Sequence, residues 1–260
     1  MIRQLTEHDH EKVLCFLKKD PSFNLFILGD IEAFGYKTDF QKLWGEWDSE
    51  DLKAVLLRFH DSYIMSAIAE FDVDGFTELL PKNEKVALSG KAEVVELFEG
   101  KSQLKLGEKR TFFFAECTEE TEEAGNLDNE VKIASLEDID RIIDLRSSIS
   151  EFRVTEASRK LLVQAMEEGT GRTFYIERNG KMAASSSTSA ENSISAMVVG
   201  VCTHPDFRNK GYASDTLKAL VQEVLGKDKK SLCLFYDNPK AGSIYHRLGF
   251  ADIGHWTIYR

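Results

Sequence analysis
The chain has 260 residues, 42% of them hydrophobic, with 44 Asp and Glu against 33 Lys and Arg and a formal net charge of −11. That is apolar material for one large core or two ordinary ones. Nucleic acid is not an expected partner, because phosphate contacts need clustered Lys and Arg and the basic residues here are dispersed; a cationic acceptor suits the acidic field better. Cys15, Cys117, Cys202 and Cys233 lie far apart with no Cys-x-x-Cys pattern or Cys/His cluster, so buried free thiols are expected and no metal site. No apolar run approaches a signal segment or a membrane span, which makes the cytoplasm the expected compartment and a membrane an unexpected partner.

Along the chain, Ile2–Leu5 reads as a short strand, and Thr6-x-x-Asp9 as a capping signal for a helix carrying Val13, Leu14, Phe16 and Leu17. Val131–Arg146 repeats this grammar at an offset of 129, with Thr6 on Ser135, Asp9 on Asp138, Val13 on Ile142 and Phe16 on Leu145. The pattern is that of an internal duplication. His8 and His10 flank Asp9, but neighbours two apart on a helix do not face one another, so no metal is expected there. A helix is predicted at Asn24–Phe34, strands at Leu43–Trp47, Ala54–Phe59 and Ser62–Ala67, and a helix near Asp72–Leu80. Lys85–Leu88 reads as the first half's counterpart of the long strand around Val198–Val201, with Ser89-Gly90 leading into a helix carrying Val94, Val95, Leu97 and Phe98. Thr111–Glu116 is a strand. Thr118–Asn126 is acidic and apolar-poor, and like charges favour an extended connector.

In the second half, Ser150-Glu151-Phe152-Arg153 separates the first helix from a second near Glu156–Glu168. Thr173–Glu177, Asn179-Gly180 and Lys181–Ser185 form a hairpin signal, Asn-Gly being the preferred pair for a two-residue primed turn. The run Ser185–Ser189 is read as a strand between that hairpin and the next. Val198–Cys202 then makes a buried strand that Pro205 stops, and Gly211 stands ahead of an amphipathic helix with Ala213, Leu217, Leu220, Val221 and Val224 on one face and Gly226 as its cap. Such a strand, loop and helix aim consecutive backbone N–H groups and a positive dipole end at one point, so Arg208–Ser214 reads as a cradle for a phosphate or pyrophosphate. Gly211 permits close backbone approach, and the small Ala213 lets the helix begin near the ligand. Ser231–Tyr236 is the next strand, Pro239–Leu248 a helix capped by Gly249, and Ile253–Tyr259 a closing strand.

Arg208-x-x-Gly211-x-Ala213 after a strand, followed by Asn238-Pro239-Lys240-Ala241-Gly242-Ser243-Ile244-Tyr245-His246-Arg247-Leu248-Gly249-Phe250, resembles the two signatures of the GNAT superfamily of acyl-CoA-dependent N-acyltransferases. The first is Arg/Gln-x-x-Gly-x-Gly/Ala and the second Asn-x-x-Ala-x-x-x-Tyr-x-x-x-Gly-Phe. The first half lacks the Arg/Gln-x-x-Gly-x-Gly/Ala loop and reads as a degenerate relative. The resemblance implies two tandem GNAT-like domains, each a mixed, mostly antiparallel α/β sheet flanked by helices, over residues 1–117 and 131–260 with an acidic linker at 118–130.

It further implies acetyl-CoA as acyl donor, no metal, and a small-molecule or peptide amine as acceptor. Backbone groups of Val201 and Thr203 would pair with the pantetheine arm, and Val201 or Cys202 would supply an oxyanion donor. Arg208, Asn209, Lys210, Gly211, Tyr212, Ala213 and Ser214 would hold the pyrophosphate. Tyr245 would be the general acid for the departing thiolate. Asn238 would hydrogen-bond the pantetheine, cap its helix, or both. Glu151, Phe152 and Arg153 are candidates for the acceptor border. The family often places a Glu base eleven residues before the motif's first position, and Met197 stands there; Glu191 or Glu151 acting through water, or the first domain, are the remaining options. His204 reads as an ordinary loop residue. The expected function is acyl transfer to an amine. The alternative is a catalytically silent acyl-CoA-binding sensor or partner-binding protein.

Overall fold
The computed structural model describes residues 1–121 and 127–260; part of the acidic Thr118–Asn126 segment therefore lies outside the described residues. The chain falls into two compact units. The first comprises Met1–Phe114, Phe235–Asp237 and Ile253–Arg260, the second Ala115–Leu234 and Asn238–Asp252. The compact units thus differ from a contiguous division at 117 and 131 in two places, since Phe235–Asp237 and most of the closing strand belong to the first unit.

In the first unit, β1 (Ile2–Gln4), a 3₁₀ turn (Glu7–Asp9), α1 (His10–Leu17) and α2 (Leu25–Phe34) precede β2 (Gln41–Asp48), β3 (Asp51–Phe59) and β4 (Ser62–Ala67). After these come α3 (Val73–Thr77), β5 (Lys85–Lys91), α4 (Ala92–Val95), β6 (Lys105–Leu106) and β7 (Lys109–Cys117). β1 to β4 pair antiparallel in sequence order, β4 pairs parallel with β5, and β13 (Ala251–Tyr259) pairs antiparallel with β5. β13 then lies beside β7, where Glu108 and Arg260 exchange both backbone hydrogen bonds. Phe23, Phe26, Phe114, Phe235 and Trp256 cluster around this end of the sheet, mostly tilted against one another, with ring centroids 4.7–6.3 Å apart, an aromatic core of the kind that dominates burial energetics.

In the second unit, β8 (Lys132–Ile133), a 3₁₀ turn (Leu136–Asp138), α5 (Ile139–Ser147) and α6 (Glu156–Glu167) precede β9 (Thr173–Arg178), β10 (Lys181–Ser189) and β11 (Ser195–Thr203). α7 (Tyr212–Val221), β12 (Ser231–Tyr236) and α8 (Pro239–Arg247) complete it. β8 to β11 pair antiparallel in order and β11 pairs parallel with β12. Both units are therefore mixed, mostly antiparallel sheets with flanking helices. The Asn179-Gly180 turn has both residues at positive φ, 53° and 74°, as a primed hairpin requires.

The duplication is visible in local geometry. Thr6 and Ser135 are both extended N-caps whose N–H groups donate to the carboxylates of Asp9 and Asp138, at 2.9 and 3.0 Å, in capping boxes. The same topology corrects the strand correspondence. β4, which pairs parallel with β5, is the counterpart of β11, so Lys85–Leu88 corresponds to β12. The segment after β4 reads Ile68-Ala69-Glu70-Phe71-Asp72, which also lacks the Arg/Gln-x-x-Gly-x-Gly/Ala pattern. Two helix ends differ from expectation. α3 stops at Thr77, short of Leu80. α7 does not end at Gly226 but widens over Gln222–Lys227 into a π turn, in which Asp228 N–H reaches Glu223 O at 3.0 Å.

Candidate active site
β11 carries a bulge. Ser185 faces Cys202 and Ser187 faces Val199, so the single residue Ser186 opposes both Gly200 and Val201. An extra residue of this kind bends the strand and interrupts its ladder. Gly200 accommodates it with φ +63°. On the other side of β11 the parallel ladder joins only Ser195–Met197 to Ser231–Cys233, while β11 runs on for six residues to Thr203. Val201 and Thr203 lie in that extension, partly exposed, and Cys202 is buried.

The extension leads through a 3₁₀ turn (Pro205–Phe207) into α7. His204 caps that turn, its Nδ1 accepting from Asp206 N–H at 3.3 Å, as an ordinary loop residue would. Asn209 and Gly211 then take positive φ, 62° and 76°. Among the described residues the backbone N–H groups of Asn209 to Ser214 have no hydrogen-bond acceptor, and the first to close is Asp215 N–H on Gly211 O at 3.0 Å. Arg208, Asn209, Lys210 and Gly211 are exposed, and a Cβ built on Gly211 would meet nothing within 4 Å. Open donors, a helix dipole and two cationic side chains form an anion cradle, so the residues fit the pyrophosphate of a CoA ligand.

Residues that the sequence reading passed over hold this cradle in place. Arg178 of β9 lies 4.9 Å over the Tyr212 ring and donates to its hydroxyl at 3.2 Å. It also reaches Asn129, whose amide donates to the buried Asp215 carboxylate at 2.6 Å. Ser186 and Thr216 hydroxyls meet at 2.8 Å. The serine run of β10 is thus buried strand, bonded to the helix it supports.

Of the two roles open to Asn238, the structure shows the cap, with Oδ1 accepting from Lys240 N–H at 3.0 Å. Tyr245 lies on the buried face of α8 with Gly242, beside Phe250 at a centroid distance of 6.1 Å. Burial pushes its hydroxyl pKa up. Met197 is buried in the ladder opposite Cys233, an apolar side chain where a base would stand. Glu191 is buried and committed: Arg172 donates to it twice, at 2.9 and 2.7 Å, Thr188 also donates, and Lys230 stands 3.7 Å away. Burial alone would raise its pKa, but these partners bring it below the ordinary carboxylate value. Glu151 is exposed and bonded to Ser150, which lowers its pKa. Phe152 packs against the core around Ile139, Ile142, Leu145 and Cys202. The Cys202 thiol meets Ser185 Oγ at 3.5 Å and burial raises its pKa, which marks it as unreactive.

Arg146, in the last turn of α5, reaches the bulge. A Cβ on Gly200 would lie 2.5 Å from its Nη2 and 2.9 Å from its Cζ. Nη2 donates to Ser187 Oγ at 2.8 Å, and Nε is buried without a partner. A signal was present in the sequence, since Arg146 follows Ile139 and Ile142 at the i, i+3, i+7 spacing of an apolar face.

The family model described as the acetyltransferase (GNAT) family matches residues 139–250. No curated protein matches the chain in sequence. Among solved structures, a Drosophila protein is 13% identical, with 100% of this chain and 98% of that one aligned at a TM-score of 0.71. A tandem GNAT protein from the clavulanic acid biosynthesis pathway is 13% identical over 100% of this chain and 97% of its own, at a TM-score of 0.63. A GCN5-related N-acetyltransferase-like protein from Streptococcus suis is 15% identical over 96% and 98%, at a TM-score of 0.58. At these identities the likeness concerns the fold, and it runs through both units. The chain carries, over residues 139–250, a domain of the GNAT acetyltransferase family.

Proposed function
We propose that residues 131–260 act as an N-acyltransferase domain that moves an acetyl or other short acyl group from acyl-CoA to a small-molecule or peptide amine in the cytoplasm, with residues 1–117 a degenerate GNAT-like domain. The observation that carries this reading is the run of open N–H groups from Asn209 to Ser214, placed one turn after the extension of β11 that stays paired with β10 but has left its ladder with β12. Acetyl-CoA supplies an acyl group activated as a thioester. The chain's own residues then have separate tasks. Arg208–Ser214 bind the pyrophosphate, and the backbone of Val201 and Thr203 holds the pantetheine arm. The N–H of Val201 or Cys202 offers a preorganised donor to a carbonyl oxygen gaining negative charge. Tyr245 holds a proton for the departing thiolate, since a tyrosine hydroxyl, with a pKa of about 10, is protonated at neutral pH, and burial raises it further. Asn238 orients the start of α8.

A lysine-like amine has a pKa of about 10.4, so an acceptor of that kind must lose a proton. Glu191 is locked to Arg172, which leaves Glu151 through water, a group of the first domain, or an acceptor that arrives neutral. The buried Met197 favours a second reading, an acyl-CoA sensor without turnover. A screen of amine acceptors against the full chain with acetyl-CoA, reading released thiol, separates the two. Amine-dependent release supports the enzyme. Saturable acetyl-CoA binding with no release across the panel supports the sensor, and absence of binding contradicts both.

A further inference from the structure
The offset of 129 that relates the two halves places Arg146 on Leu17. Leu17 is a fully buried core residue of α1, so one unit has an apolar side chain where the other has a guanidinium. A cation in such a position costs stability unless it is paired. Arg146 has no carboxylate within ion-pair distance among the described residues. Its one hydrogen bond is to Ser187, a neutral hydroxyl that also meets Thr173 Oγ1 at 2.8 Å, and its Nε is buried with no acceptor. The residue retains partial exposure and lies against Gly200, at the bulge where β11 leaves its parallel ladder. Burial holds its pKa below the usual guanidinium value, as desolvation of an unpaired cation does.

We propose that Arg146 is a carboxylate-binding residue of the acyl-transfer site, and that one of the two reacting molecules presents a carboxylate to it at the Gly200 bulge. The guanidinium fork matches a carboxylate in a bidentate pair. A single cation with hydroxyl neighbours balances a monoanion, whereas the doubly charged pyrophosphate already has the cradle at Arg208–Ser214. The carboxylate belongs either to an amino-acid acceptor or to a dicarboxylic acyl group such as succinyl. This inference rests on the acyltransferase reading for the location of the reacting atoms, but its test reads binding and not turnover.

Calorimetry and thermal unfolding on the full chain, with wild type, Arg146→Leu and Arg146→Lys, would use matched probes: alanine with ethylamine, phenylalanine with phenethylamine, and succinyl-CoA with acetyl-CoA. At least one carboxylate-bearing member should bind the wild type more tightly than its partner. Arg146→Leu should remove that preference, weakening the carboxylate ligand by about 10²-fold and leaving acetyl-CoA affinity unchanged. Arg146→Lys, which keeps charge without the fork, should fall between. The amino-acid pairs and the succinyl pair identify the source. Because the unliganded wild type holds a half-buried guanidinium without a carboxylate partner, Arg146→Leu should unfold at an equal or higher temperature. Equal binding within every pair overturns the proposal, as does a preference that survives Arg146→Leu. A lower unfolding temperature with carboxylate preference intact assigns Arg146 a merely structural role and also overturns it; preference retained in full by Arg146→Lys refutes fork recognition. Wild type that binds no acyl-CoA contradicts the acyltransferase reading instead, and the amino-acid pairs still decide the role of Arg146.

Discussion

Replacing Arg172 by Met tests whether Glu191 is a structural carboxylate or a base held in reserve. The Glu191 side chain is only 3% exposed and is tied to Arg172 by two hydrogen bonds of 2.9 and 2.7 Å. Arg172 also reaches Asp228 and stands 4.0 Å from Glu223. Removing the guanidinium leaves a buried carboxylate with Thr188 and a lysine at 3.7 Å, a change that costs about 3–5 kcal/mol. At about 2–4 °C per kcal/mol for a domain of this size, the unfolding temperature should drop by about 6–20 °C. The deficit should depend on pH in a defined sense. The folded-state pKa of Glu191 lies below its ordinary value of 4.5, so the stabilisation is present above that value and is lost as pH falls through the folded pKa. Calorimetric unfolding of both proteins from pH 7 downward measures this, with the difference narrowing at acid pH. A loss under about 1 kcal/mol at pH 7, the range of a surface pair, would refute the reasoning. Glu191→Gln adds a functional arm: it should lower stability without the loss of about 10²–10⁴ in turnover that removal of a general base entails.

Tyr245→Phe should lower kcat while leaving the acetyl-CoA dissociation constant nearly unchanged, because the ring packing survives and only the proton donor is lost; wild-type turnover in the variant would remove Tyr245 as the acid. The Asp9 carboxyl is held down to about 2 by hydrogen bonds from Arg3, with burial opposing and the Thr6 N–H adding to the effect. The stability gap between wild type and Asp9→Asn should therefore be full above about pH 4, the ordinary range of an Asp carboxyl, and close as pH falls toward 2. A gap that persists at pH 2 would contradict this origin.

Much of the fold was legible because local chemistry wrote it. The Thr6/Asp9 and Ser135/Asp138 capping boxes, the Asn179-Gly180 turn and the Gly211 helix start each depend on a few adjacent residues, and each has the expected geometry. What was not legible depends on distant partners. Pairing of Trp256–Tyr259 with Leu88–Lys91 spans well over half the chain, and no signal in either segment names the other. Lys85–Leu88 looks in sequence like a counterpart of β11 but pairs as the counterpart of β12, because an apolar run reveals burial but not its neighbours. The cradle residues were readable as a motif, whereas Arg178 and Asn129, which brace it, come from a strand end and a loop whose convergence only the fold creates. Arg146 is intermediate, a charged residue on an apolar face whose consequence appears once Gly200 is placed against it.

The central claim is that acyl-CoA is held by the open N–H groups around Gly211, and titration of acetyl-CoA into the full chain against Gly211→Asp tests it most directly. A side chain at Gly211 meets nothing within 4 Å, and Asp is among the residues that tolerate positive φ, so the variant should fold with an unchanged circular dichroism spectrum. Its carboxylate would nonetheless stand where a pyrophosphate must approach. Wild type should bind acetyl-CoA saturably and the variant at least about 10²-fold more weakly, from lost close approach and charge repulsion together. Equal affinity in the two proteins would contradict the account.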